Sequence, residues 1–223
     1  NGYYEGKEYI ITWAFGHLFS LADIEYYTPR SGGEEWTLEN LPCFPERFHF
    51  ELRADSKQTS GKPASGKRRG SVKTAKAEET DTNDTPQVKN YPTDDSIAKQ
   101  FETIRALCLR DDVDTIVNAG DSDREGEIIV RLCIINSFKQ NSNVTDYSDS
   151  LAQGKRLCRL WLPDQMPETI RSAVAELHGE SEFDRLADEG FARTFVDWLY
   201  GVNLTRYATL RSGMLLRVGR VIV

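Results

Sequence analysis

The stretch Asp114-Thr-Ile-Val-Asn-Ala-Gly-Asp-Ser-Asp-Arg-Glu-Gly-Glu-Ile-Ile-Val130 decides the fold, because it joins a buried strand to a helix through a run of acids. Thr115–Val117 is β-branched and apolar, which is typical of a strand. Apolar residues then recur at helical spacing, at Ile128, Ile129, Leu132 and Ile135. The pattern therefore predicts a strand, a short acidic loop and a helix.

The acidic loop and the helix start carry Asp121, Asp123, Glu125 and Glu127, with Arg124 as a fixed cation among them. Ligands of open α/β sheets bind at the carboxyl ends of the strands. Closely spaced carboxylates repel one another, and a hard divalent cation such as Mg²⁺ relieves that repulsion. We therefore interpret the loop as a Mg²⁺ site that serves phosphate chemistry.

The alternative is an acid-rich helix start with no further role, since carboxylates are favoured at helix N-termini by the helix dipole. Gly120 and Gly126 flank the acids and permit a close approach of backbone to backbone. This pairing of glycines and acids favours the functional interpretation.

Composition narrows the class of protein. The chain has 223 residues and a formal net charge of -7, and it lacks both a membrane-length apolar run and a signal-like start. We expect a cytoplasmic α/β protein. The four cysteines have no C-x-x-C spacing, which favours reduced core thiols over zinc or disulfides.

Residues 54–93 are polar, with basic residues in the first half and acidic residues in the second. We predict that they form a disordered insertion, whose basic half either contacts nucleic acid or only solubilises the chain.

The rest of the chain alternates strands with helices and then becomes helical. We predict strands at 9–13, 48–52 and 156–162, and helices at about 94–108 and 167–177. From about 182 we predict one long helix with an apolar face and a row of polar residues, Glu189, Arg193 and Asp197. The expected fold is an α/β parallel sheet flanked by helices over 1–179, followed by an all-helical segment over 180–223.

Several short strings, in this order and spacing, resemble type IA DNA topoisomerases of the topoisomerase III branch. The strings are Trp13–Leu18, Trp36–Pro42, Asn118–Glu127, Arg159–Trp161 with Pro167–Ile170, Ala192–Arg193, Asp197–Trp198, Asn203–Arg206 and Val218–Val221. The resemblance implies a Toprim domain, a small parallel sheet with an acidic metal site at its strand ends, followed by the start of a helical arch base.

The resemblance also implies roles for individual residues. Asp121, Asp123 and Glu125 match the acidic triad that places Mg²⁺ near the scissile phosphate, with Arg124 between them and Glu127 as a support. Arg193 and Arg220 match positions near bound single-stranded DNA and the active site. Protein partners are not indicated, and the resemblance implies a bacterial, nucleoid-associated or plasmid-encoded enzyme.

The implied reaction of the whole enzyme is cleavage and rejoining of one DNA strand through a 5′-phosphotyrosine. The family's first Toprim strand and its nucleophilic tyrosine are expected beyond the two ends of this sequence. Tyr27 stands in a string that lacks the nucleophile's pattern, so we expect a structural role for it and no relaxation activity from this stretch alone. A Toprim nuclease or primase-like protein, or a DNA-binding module without catalysis, remain the alternatives.

Overall fold

The computed structural model describes residues 2–28, 37–53, 94–139 and 152–219. The predicted insertion at 54–93 and the predicted DNA-binding residue Arg220 lie outside the described residues. The sheet and helix elements of the described ranges are β1 (Tyr3–Glu5), β2 (Ile10–Thr12), β3 (Phe19–Leu21), α1 (Ile24–Tyr27), β4 (Phe50–Leu52), α2 (Asp94–Cys108), β5 (Thr115–Asn118), α3 (Arg124–Phe138), β6 (Arg156–Arg159), α4 (Pro167–Ala175), β7 (His178–Gly179) and α5 (Asp184–Ser212). Short 3₁₀ turns occupy Leu38–Asn40 and Glu180–Phe183.

The sheet that carries the acidic loop has the order β5-β6-β7. Strands β5 and β6 run parallel, with Asn118 opposite Arg159, and β7 pairs with β6 in the antiparallel direction. The expected mixed α/β class is confirmed. Within the described ranges, parallel pairing is confined to β5 and β6, because the other strands meet as the antiparallel pairs β1-β2 and β3-β4.

Helices α2 and α3 pack against each other and enclose the main core. The predicted apolar face of α2, formed by Ile97, Phe101, Ile104 and Cys108, is buried as expected. Phe19 of β3 meets Phe101 edge to face, with ring centroids 4.9 Å apart. The core therefore lies between the two helices, strand β3 and the parallel pair.

Helix α4 is shorter and more exposed than the sequence suggests. It ends at Ala175 instead of near 177, because Glu176 adopts φ -124° and ψ 58° outside the helical region. Its N-cap residue Met166 makes no side-chain cap, and the Asp164 carboxylate accepts the Met166 N–H at 2.9 Å. No residue of α4 is buried, so its apolar stripe is only partly covered.

Helix α5 crosses α3 at close range. A Cβ on Gly190 would stand 2.7 Å from Ile128 Cγ2 and 2.8 Å from the Arg124 carbonyl oxygen, so glycine permits the crossing. Further along, the Trp198 indole donates to the Ala22 carbonyl at 3.0 Å. Helix α5 is thus held against both α3 and the N-terminal strands.

Three smaller expectations also concern the fold. All four cysteines are buried free thiols, as predicted. Tyr27 is structural, since its hydroxyl accepts the His49 N–H at 2.8 Å and its ring meets Trp198 edge to face. Among the described helices, none combines the length and the apolar character that a membrane span needs.

Candidate functional site

The acidic loop lies where β5 ends and α3 begins. Asp123 is the N-cap of α3, and its Oδ1 accepts the Gly126 N–H at 2.7 Å. Asp121 and Asp123 are both exposed at this edge of the sheet. The structure therefore places two of the predicted carboxylates on the solvent side of the strand end, as expected from the sequence.

Two glycines allow the loop to fold back on the first turn of α3. A Cβ on Gly126 would stand 2.4 Å from the Asp121 nitrogen and 2.5 Å from its carbonyl oxygen. A Cβ on Gly120 would stand 2.2 Å from the Gly126 carbonyl oxygen. Backbone therefore packs directly on backbone here, and the position of Asp121 depends on the absence of side chains at both glycines.

Glu125 faces a different set of partners from the two aspartates. Its Oε2 lies 3.4 Å from His17 Nε2, and its Oε1 lies 3.8 Å from Arg193 Nε. Arg193 also approaches Asp197 Oδ2 at 3.8 Å within α5. Arg124 of α3 pairs with Glu189, which also lies on α5. The row of polar residues predicted on α5 thus faces the start of α3.

The residues suit Mg²⁺ only in part. Over the described ranges, no group of three or more Asp, Glu, His or Cys side chains is arranged to hold a metal ion. Protein-bound Mg²⁺ commonly uses one or two carboxylates, and waters and substrate phosphates complete its shell. The exposed pair Asp121 and Asp123 fits that donor set, whereas Glu125 is engaged by His17 and Arg193.

Glu127 points inward, away from the two exposed aspartates. Its side chain has no exposed surface. Its Oε1 accepts a hydrogen bond from Arg131 Nε at 2.9 Å, and its Oε2 forms an ion pair with Arg159, 2.8 Å from Nε. The Asn118 amide donates to Glu127 at 3.2 Å and to Glu180 at 2.9 Å. Buried charges are tolerated when they are paired and hydrogen-bonded, as they are here. Glu127 therefore anchors α3 to the end of the parallel sheet.

Arg159 is the residue at this site that sequence reasoning missed. It is fully buried, and its guanidinium donates to the carbonyl oxygens of Asn118, Gly120 and Asp121 at 3.1, 2.8 and 2.7 Å. The available signal was an arginine that ends β6 after the apolar pair Leu157-Cys158, beside the strand that leads into the acidic loop.

Glu180 completes the buried cluster. Burial raises the pKa of Glu180 to about 7, and the nearby carboxylate of Glu127 acts in the same direction. The Asn118 hydrogen bond and the Arg131 charge oppose that shift. Arg131 in turn reaches Asp184 at 2.7 Å, at the first residue of α5. The cluster thus links the acidic loop to the start of the long helix.

These features define a class of protein: an α/β unit with an acidic loop at the end of a parallel strand, facing a long helix that carries arginine. The chain is homologous to DNA topoisomerase 3, which confirms the resemblance to type IA topoisomerases. It is 31% identical to DNA topoisomerase 3 of Bacillus cereus and of Bacillus thuringiensis strain Al Hakam, over 221 residues and 99% of this chain. Identity to DNA topoisomerase 3 of Staphylococcus epidermidis is 28% over 221 residues, again 99% of this chain.

No family model matches the chain. The chain spans 22% of the length of the two Bacillus relatives and 23% of the Staphylococcus relative. The homology therefore covers almost all of this sequence and about a quarter or less of each relative.

Proposed function

We propose that this chain is the Toprim-containing part of a type IA DNA topoisomerase, which cleaves and rejoins one DNA strand. The observation that carries the proposal is the exposed pair Asp121 and Asp123 at the strand end, followed by Glu125, which meets Arg193 of α5, in a chain homologous to DNA topoisomerase 3. In such an enzyme a tyrosine of another part of the protein attacks the phosphate and forms the 5′-phosphotyrosine. This chain supplies the site that holds the phosphate and the cut strand.

Arg193 is the proposed contact for the backbone of single-stranded DNA. Its side chain is about one-third exposed, and its Nε lies 3.8 Å from both Glu125 Oε1 and Asp197 Oδ2, distances at which the pairs are loose. A DNA phosphate would replace these carboxylates with a stronger, bidentate partner. Arg220, predicted from the resemblance to lie near the same strand, would add a second contact.

Carboxylates outnumber arginines around the loop, and this imbalance makes a cation necessary for DNA to approach. Arg124 pairs with Glu189, and Arg193 lies near Glu125 and Asp197, so the exposed carboxylates of Asp121 and Asp123 add two negative charges that no arginine of the described ranges pairs with. A phosphate that comes close to this group meets net negative charge and is repelled. We therefore propose that Asp121 and Asp123 hold Mg²⁺, with Glu125 as the nearby third carboxylate of the acidic triad.

Bound Mg²⁺ would neutralise charge on the phosphate and on the oxygen that re-forms the bond. The residues of this chain would then contribute by holding the loop and the DNA strand in place. Asp123 keeps the first turn of α3 capped, Gly126 keeps Asp121 against that turn, and Arg193 orients the strand. Positioning of this kind supplies a large part of the catalysis of phosphoryl transfer.

Salt-dependent binding of single-stranded DNA tests the proposal. A labelled oligonucleotide is titrated with the chain at several salt concentrations, with and without Mg²⁺. We expect Mg²⁺ to tighten binding, and Arg193→Ala to weaken binding and to reduce the salt slope by roughly one phosphate contact. Arg171→Ala is the matched control, because Arg171 is an exposed arginine on α4, paired only loosely with Glu168.

An equal effect of Arg193→Ala and Arg171→Ala would remove Arg193 from the DNA site. Binding that is unchanged or weakened by Mg²⁺ would contradict the role given to Asp121 and Asp123. Denaturing electrophoresis of the same mixtures checks a separate expectation, that no covalent adduct forms with this chain, since the proposed nucleophile lies in another part of the enzyme.

A further inference from the structure

Three residues at the strand end and in the acidic loop direct their carbonyl oxygens at one guanidinium. Arg159 Nη1 lies 3.1 Å from the Asn118 oxygen and 2.8 Å from the Gly120 oxygen, and its Nη2 lies 2.7 Å from the Asp121 oxygen. A further bond runs to the carbonyl of Leu160 at 2.9 Å. The planar fork of arginine presents several donors in a fixed geometry, which a set of carbonyls can match.

The guanidinium is itself held from its other sides. Arg159 is fully buried, and Glu127 Oε2 lies 2.8 Å from its Nε. The rings of Trp161 and Phe183 stand 5.2 and 5.7 Å from the guanidinium carbon. A buried arginine with an ion pair, four carbonyls and two aromatic neighbours has little freedom to move.

We propose that Arg159 is a positioning residue, which fixes the backbone of the acidic loop and so aims the carboxylates of Asp121 and Asp123 before any ligand arrives. The carbonyl of Asp121 is bound to Arg159, while the nitrogen and Cα of the same residue pack against Gly126. The backbone at this aspartate is therefore clamped from two directions. Glu127 in turn holds the Arg159 guanidinium in place through their ion pair.

The consequence for ligand binding rests on the proposed function, whereas the ordering of the loop does not. Groups that orient the metal ligands by hydrogen bonding, without binding the metal themselves, typically contribute 10- to 100-fold to metal affinity. A loose loop would have to be ordered at the moment of binding, and the ligand would bind more weakly for that reason.

Arg159→Lys tests the clamp, because lysine keeps the positive charge beside Glu127 but lacks the planar fork. Arg131→Lys is the matched control, since Arg131 is also buried and pairs with Glu127, but its other partners are Glu180 and Asp184. Two quantities are measured on each protein: hydrogen exchange at the amides of residues 119–123, and Mn²⁺ affinity by electron paramagnetic resonance.

For Arg159→Lys we expect loop exchange to rise by about tenfold or more, and Mn²⁺ affinity to fall by about 10- to 100-fold. Arg131→Lys should lower thermal stability while leaving both quantities within about threefold of wild type. A merely structural role would change stability alike in both variants without singling out the loop. Equal loop exchange in the two variants overturns the proposal.

A second variant, Trp161→Leu, and the exchange comparison by itself cover two other outcomes. If Arg159→Lys does not fold, Trp161→Leu loosens the guanidinium more mildly, and the same amides should exchange several times faster; protection equal to wild type would overturn the proposal. If wild type binds no Mn²⁺, the metal part of the proposed function fails, while the exchange comparison still decides whether Arg159 orders the loop.

Discussion

Substituting Gly126 with alanine is the sharpest way to test how the acidic loop is held. The added Cβ would lie 2.4 Å from the Asp121 nitrogen, where ordinary van der Waals contact begins near 3.4 Å, so the loop must shift by about 1 Å. These obstacles are backbone atoms that cannot rotate away, so the steric cost is near the upper end of overpacking, about 3 kcal/mol. Alanine has a higher helix propensity than glycine, which stabilises the folded state by about 1 kcal/mol. The net loss is about 2 kcal/mol.

Urea unfolding measures this loss, and thermal unfolding should show a fall of about 4–8 °C for a chain of this size. Gly201→Ala is the control, because its Cβ would meet nothing closer than the Val218 oxygen at 3.9 Å. That variant should be more stable than wild type by about 1 kcal/mol. A Gly126→Ala protein as stable as Gly201→Ala would refute the close packing of the loop on α3.

Three further substitutions test other parts of the structure. Asn203 holds the backbone of Cys43, accepting its N–H at 2.6 Å and donating to its carbonyl at 3.0 Å, so Asn203→Ala should cost about 1–3 kcal/mol in urea unfolding. Tyr27→Phe removes the acceptor of the His49 N–H and should cost about 1 kcal/mol, measured in the same way. The pKa of Glu180 is raised from 4.5 to about 7 by burial, so its contribution to stability is complete below pH 4.5 and is lost as the pH rises through 7. Glu180→Gln should abolish that loss, and the difference between the two proteins, measured by unfolding on both sides of this window, should change with pH; a constant difference would contradict the assignment.

Local pattern predicted the elements that surround the site. The β-branched residues of β5, the periodic apolar residues of α2 and α3, and the acids between β5 and α3 all appear where the sequence placed them. These features depend on neighbours close in sequence, which a pattern can report. The direction of strand pairing does not, and β7 joins β6 antiparallel through contacts that no local period encodes.

For the site, too, the sequence predicted the local features and not the contacts between distant parts of the chain. The exposure of Asp121 and Asp123 follows from their place on a strand-end loop. The pairing of Glu125 with His17 joins residues more than a hundred positions apart, and it depends on how α3 lies against the N-terminal region. The clamp by Arg159 depends on the register of β5 against β6, which brings Asn118 opposite Arg159. Long-range geometry of this kind is absent from a single sequence.

The most direct test of the central claim is thermal unfolding with increasing Mg²⁺, in wild type and in Asp121→Asn/Asp123→Asn. Asparagine keeps the N-cap of α3 and the shape of both side chains, so the change is confined to charge. We predict that Mg²⁺ raises the unfolding temperature of wild type in a saturable way, because a cation that binds only the folded state stabilises it. The double variant should show no such rise. An equal rise in both proteins, or none in wild type, would contradict a Mg²⁺ site at this loop.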